Sequence, residues 1–125
     1  MTTVLVVEDE FGIAELLDTV LTDEGHRVLT ARNGKQGLEV LTKERADLVL
    51  CDYMMPVMDG AAMLGAMAAD PALRGIPVVV MSAMREATVA ERCAGYVTFM
   101  RKPFKLPELL DVVERVLGGD DNPAP

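Results

Sequence analysis

Apolar runs and apolar stripes alternate along this chain. Residues 4–7 (Val-Leu-Val-Val) are continuously apolar and stop at Glu8-Asp9-Glu10. Short runs bounded this way fit strands buried on both faces. From 11 to 23 the period changes. Ile13, Leu16, Leu17, Val20 and Leu21 recur at helical spacing and predict one inward stripe, with Glu24-Gly25 as the stop. Residues 28–31 predict a second strand. Asn33 is placed to cap a helix that runs to about Arg45, with Leu38 and Leu41 inward. Residues 48–51 (Leu-Val-Leu-Cys) predict a third strand that halts at Asp52, and Pro56 and Asp59-Gly60 mark a loop. The Ala- and Met-rich stretch 61–69 predicts a helix closed by Asp70-Pro71. Residues 76–81 predict a β-branched strand ending at Ser82, 86–92 a short helix, and 97–100 a fifth strand before Arg101-Lys102-Pro103. Leu106, Leu109, Leu110, Val113, Val116 and Leu117 form the last stripe, with Pro107 at a first helical position and Gly118-Gly119 as its end.

Five strand–helix pairs predict an α/β fold with a parallel sheet covered on both faces. The expected architecture is a flavodoxin-like, doubly wound five-stranded parallel sheet of order 2-1-3-4-5 with five helices. At 125 residues this is one domain, expected over 1–118, with residues 119–125 as a flexible, acidic C-terminal tail.

Composition narrows the function. Half of the residues are hydrophobic, which excludes a disordered segment. A net charge of −8 argues against direct binding to nucleic acid or to an anionic membrane surface. No apolar run approaches the roughly 20 residues that span a bilayer, so no membrane insertion is expected. The first residues, Met-Thr-Thr-Val, carry no basic segment of a signal peptide. Cys51 and Cys93 have no metal or disulfide spacing, and a cytoplasmic location is expected.

The candidate chemistry lies where the strands end. The first ends at Glu8-Asp9, the third at Asp52, the fourth at Ser82 and the fifth at Lys102. The order 2-1-3-4-5 makes these four strands neighbours with their carboxyl ends on one edge. Three carboxylates at short range repel one another and call for a cation. All-oxygen ligands suit Mg²⁺, which keeps room for phosphoryl oxygens. A carboxylate beside such an ion can accept a phosphoryl group as an acyl phosphate. Taken singly, these residues read as well as a turn cap (Asp52), helix caps (Glu8, Asp9) or a surface charge (Lys102).

The residues in their order resemble the receiver domain of two-component response regulators, from Val4 to about Leu117. The matching positions are Glu8-Asp9, Asp52 with Met55-Pro56 and Asp59-Gly60, then Ser82-Ala83 and Lys102-Pro103-Phe104. The resemblance, which is to the single-domain, CheY-like type, implies a phosphoaccepting switch. Asp52 would accept phosphate from a sensor histidine kinase or a histidine phosphotransfer protein. Asp9, Asp52 and the backbone carbonyl of Met54 would hold Mg²⁺, and Glu8 would act through water. Ser82 and Lys102 would bind the phosphoryl group, with a cis bond between Lys102 and Pro103. Ser82 and Phe99 would be the switch pair. The output would be contact with a downstream protein target, by a monomer or weak dimer, because only a short tail follows residue 117. The only catalysis implied is its own phosphoryl transfer and dephosphorylation.

The chain departs from the family pattern in places. Glu8 replaces the first Asp, and the span from Ser82 to Lys102 is about two residues short. Gly95-Tyr96-Val97-Thr98 stands where Gly-Ala-Asp-Asp is common, and Phe99 lacks the hydroxyl of the usual Tyr. The fourth helix is therefore expected to be short. Met54 and Met84 stand at two variable positions that influence how water reaches the acyl phosphate. Neither side chain orients a water, so a long-lived phosphorylated form is expected. A phosphatase with an aspartyl nucleophile would need a second Asp at position 54, which is Met. A flavin or nucleotide domain would need a Gly-rich loop after the first strand, where Glu8-Asp9-Glu10 stands instead. A degenerate scaffold would not need the acidic pair, Asp52, Ser82 and Lys102 intact.

Overall fold

The computed structural model describes residues 1–119. The expected tail therefore lies outside the described residues apart from Gly119. Five strands and five helices alternate in the order β1 (Thr3–Val7), α1 (Phe11–Asp23), β2 (Arg27–Ala31), α2 (Gly34–Lys43), β3 (Leu48–Asp52), α3 (Gly60–Ala69), β4 (Val78–Ser82), α4 (Glu86–Ala90), β5 (Thr98–Arg101) and α5 (Leu106–Leu117). The strands form one parallel sheet of order β2-β1-β3-β4-β5.

Successive side chains of a strand point to opposite faces, and both faces here are covered. Leu5, Val7, Val49, Cys51, Val78 and Val80 pack into one core with Leu41, Met63, Met67 and Val89 of α2, α3 and α4. Val4, Val6, Leu48, Leu50, Val79 and Met81 pack into the other with Leu17, Leu21, Leu109 and Val113 of α1 and α5. All five residues are buried in each of β1, β3 and β4. That explains why their sequences are runs rather than alternations.

The terminators act largely as expected. Gly25 has φ +93°, and the next residue donates from His26 N to Leu21 O, closing α1 in a left-handed turn. The Asn33 side chain accepts from Gln36 N and caps α2.

Three expectations shift. The fourth strand starts at Val78, not at residue 76, because Ile76 N donates to Leu73 O in a turn and Pro77 has no N–H. The short helix stops at Ala90, and in the turn that follows Arg92 N and Cys93 N both donate to Val89 O. Leu16, read as part of the inward stripe, is 48% exposed. It stands about 100° around the helix from buried Leu17 and faces a groove of ≈ 410 Å³ shared with Pro103, Phe104 and Leu106.

Candidate active site at the carboxyl edge of the sheet

Parallel register sets the site. Val7 pairs with Cys51, Asp52 with Met81 and Ser82 with Arg101. Glu8, Asp52, Ser82 and Lys102 therefore leave adjacent strands at one level. Glu8 N donates to Ala31 O and Lys102 N to Ser82 O, so both residues continue the ladder that their strands began. Among the described residues, the buried polar or charged side chains are those of Thr3, Glu8, Asp52 and Ser82, and all but Thr3 lie at this edge. Burying such groups is costly unless they are paired, so the partners decide the chemistry.

Lys102 is the partner. Its Nζ donates to Glu8 Oε1 at 2.6 Å and lies 3.3 Å from Asp52 Oδ1. The Lys102–Pro103 peptide bond is cis. The second oxygen of Glu8 accepts from Glu10 N. The reading of Glu8 and Asp9 as helix caps does not hold, because Glu10 is the N-cap and makes no side-chain cap bond.

One ammonium does not balance the carboxylates. Glu8, Asp9 and Asp52 can each offer an oxygen such that all three atoms lie within 4.8 Å of one another. Burial and the charge of Glu8 push the Asp52 carboxyl up to about 7, against the opposing pull of Lys102. Burial disfavours the Lys102 ammonium, but its bond to Glu8 and the charge of Asp52 outweigh that and hold it above the usual lysine value. This donor set, with three convergent carboxylates of which Asp9 is exposed, fits a hard divalent cation entering from solvent.

The loop after Asp52 is pinned at several points. Tyr53 N donates to Asp52 Oδ1 and also to Met81 O. Gly60 N donates to Tyr53 O, and a Cβ at Gly60 would come 2.7 Å from Asp52 O. Gly34 N donates to Met58 O, which ties the loop to the start of α2. Met58 N donates to Pro56 O around Val57, whose φ is +69°, a strained γ-turn for a β-branched residue. Asp59 caps α3 by accepting from Ala62 N. The Met54 side chain is 65% exposed and lines a cavity of ≈ 400 Å³ with Met84.

Ser82 Oγ accepts from Met84 N at 3.0 Å, and its hydroxyl proton is left to donate. Phe99 is half-buried against the core that holds Val80 and Val89, and its ring centroid is 6.2 Å from that of Tyr96. The structure thus brings Glu8, Asp9, Asp52 and Lys102 into contact range. It puts Ser82 at the same edge and Phe99 one strand further along.

Residues 4–114 match the family described as the response regulator receiver domain. The chain is a member of that family. Among curated relatives, the receiver is 38% identical over 116 residues to sporulation initiation phosphotransferase F of Bacillus subtilis, covering 91% of this chain and 92% of that protein. It is 36% identical to the DNA-binding response regulator MtrA of Mycobacterium tuberculosis, covering 97% of this chain but only 53% of that protein. Among solved structures, the receiver domain of a signal transduction histidine kinase from Syntrophus aciditrophicus superposes with TM-score 0.89 at 31% identity, over 99% of this chain and 96% of that one. The receiver domain of the sensor histidine kinase PA1611 from Pseudomonas aeruginosa, with a magnesium ion coordinated in its active site cleft, superposes at 0.87 and 28% identity, over 94% and 98%. The receiver is therefore a phosphoaccepting signalling switch of two-component systems.

Some parts of the receiver's site were not visible in its sequence. The Tyr53 amide contact to Asp52 is a backbone bond and leaves no sequence signal. The close approach at Gly60 is hinted at only by the Asp59-Gly60 pair. The hydroxyl of Tyr96 donates to Glu86 Oε2 at 2.8 Å, joining two segments whose sequences carry no sign of the pairing.

Proposed function

We propose that Asp52 is the phosphoacceptor of this receiver and that Lys102, Ser82, Glu8 and Asp9 serve it. The observation that carries the reading is the position of Asp52. It is a buried carboxylate at the end of a central strand, 3.3 Å from an ammonium and within 4.8 Å of two further carboxylates.

In this reading an Asp52 oxygen attacks the phosphorus of a phosphohistidine. The new O–P bond forms as the P–N bond breaks, and the imidazole nitrogen keeps the electron pair and takes a proton. Lys102, already beside Asp52, balances the charge of the incoming phosphoryl group. Ser82 has its acceptor side occupied by Met84 N–H and turns its hydroxyl proton to a phosphoryl oxygen. Mg²⁺, held by Asp9, Asp52 and the Met54 carbonyl with Glu8 acting through water, would neutralise the carboxylates and leave positions for phosphoryl oxygens. Phe99 and Ser82 are the elements that change with phosphorylation. The donor is a sensor histidine kinase or a phosphotransfer protein, and the output is contact with a protein target through the face of α4, β5 and α5. Residues 1–118 are the unit that carries all of this.

The test is incorporation of phosphate from a small phosphodonor with MgCl₂, in the parent and in Asp52→Asn. Incorporation is expected in the parent and lost in the variant. Equal incorporation in both would remove Asp52 from the role.

A further inference from the structure

Phe99 carries no hydroxyl, so it cannot hydrogen-bond to the segment that must respond to it. The structure offers a substitute three residues earlier. The Tyr96 ring lies 6.2 Å from that of Phe99, tilted by 52°, within the usual range for interacting aromatic pairs. Both rings pack on the same core cluster, together with Met84. The Tyr96 hydroxyl donates to Glu86 Oε2 at 2.8 Å. Glu86 is the first residue of α4.

Helix α4 needs such a tie. It has five residues, far below the length at which a helix holds itself in water. Its N-cap, Arg85, makes no side-chain cap bond. Its single buried residue is Val89. Burial and the Glu86 carboxylate push the Tyr96 phenol up to about 12, so it stays a donor at neutral pH.

We infer that Tyr96 is the hydrogen-bonding half of the switch, its ring following Phe99 while its hydroxyl holds the first turn of α4 through Glu86. This rests on the proposed switch role of Phe99 and adds the route by which that role reaches the surface. Tyr96 occupies the position at which the family pattern commonly has Ala, so the device belongs to this chain's own residues. It is a positioning residue and touches no reacting atom.

The test is hydrogen–deuterium exchange across residues 86–90 in the full chain, with and without acetyl phosphate and MgCl₂. Phosphate incorporation is measured in parallel. Tyr96→Phe keeps the ring and loses the hydroxyl. It is expected to speed exchange in α4 about fivefold without phosphate, the equivalent of one hydrogen bond. It should also shrink the phosphate-dependent change there by more than half, while incorporation stays at the parent level. Glu86→Gln keeps an acceptor oxygen and is expected to stay close to the parent. If Tyr96→Phe takes up phosphate normally and α4 exchanges as in the parent in both states, the inference is overturned. If the parent takes up no phosphate, the switch reading fails and the coupling with it. The exchange without phosphate then still reports whether Tyr96 holds α4.

Discussion

Glu8 and Lys102 stand 94 positions apart in sequence and meet at 2.6 Å, with Asp52 drawn in at 3.3 Å from the same ammonium. Glu8 is 2% exposed. An acid buried that deeply persists because the lysine offsets its desolvation.

Removing the lysine leaves two buried carboxylates without a counter-charge. Lys102→Ala is expected to destabilise the metal-free protein by about 3 kcal/mol in urea denaturation. Added MgCl₂ should recover part of that loss by binding the folded state. A variant as stable as the parent in EDTA would show that the pair contributes nothing.

The raised Asp52 carboxyl gives a pH dependence of defined sign. Its ordinary value is 3.8, and in the folded protein it is pushed up to about 7. Between these values the folded state binds more protons than the unfolded one. Its contribution is therefore complete below about pH 4 and is lost as pH rises through about 7. Asp52→Asn removes that component. In EDTA its urea midpoint should draw ahead of the parent's between pH 4 and pH 8, and MgCl₂ should narrow the gap. Parallel midpoints across that range would contradict the assignment.

The fold was legible because its signals are local and repeat. Runs buried on both faces, such as Val4 to Val7, differ in period from helical stripes such as Leu106 to Leu117, and Gly25 and Asn33 mark their ends. The edge residues Glu8, Asp9, Asp52, Ser82 and Lys102 were legible because strand order alone gathers strand ends. What was not legible depends on details of packing. Leu16 fits a helical stripe by count, yet it sits at the stripe's margin over an open groove. Ile76 continues the apolar run before Val78, yet its amide is already bound in a turn. The Lys102–Glu8 bond could not be told from a lysine reserved for phosphate, since either uses the same residues. Tyr96–Glu86 joins a partly buried phenol to an exposed carboxylate, and no hydrophobic pattern records such a pair.

Gly60 is tested by a single methyl group. A Cβ there would lie 2.7 Å from Asp52 O and 3.0 Å from Tyr53 Cα, both backbone atoms with little freedom to yield. Gly60→Ala is expected to cost about 2 kcal/mol in stability. It should also displace Asp52 enough to slow phosphate uptake roughly tenfold. Thermal unfolding and initial rates of incorporation measure the two effects separately. Normal uptake in a destabilised variant would limit Gly60 to a structural role.

Met54 and Met84 line one cavity beside the site and offer no strong hydrogen-bonding group to a water there. The phosphorylated form is expected to persist, and Met54→Asn to shorten its lifetime roughly tenfold, the equivalent of one added hydrogen bond to the attacking water. The decay of incorporated phosphate after removal of the donor gives the comparison. Unchanged decay would show that Met54 does not govern access of water.

Phosphate taken up by this receiver is expected to reside on Asp52 as an acyl phosphate. The most direct measurement loads the protein with acetyl phosphate and MgCl₂, reduces the acyl phosphate with borohydride and maps the altered residue by peptide mass spectrometry. Homoserine is expected at position 52, and none when MgCl₂ is replaced by EDTA. Reduction at Glu8 or Asp9 with Asp52 intact, or phosphate on the chain's one histidine, His26, would contradict it.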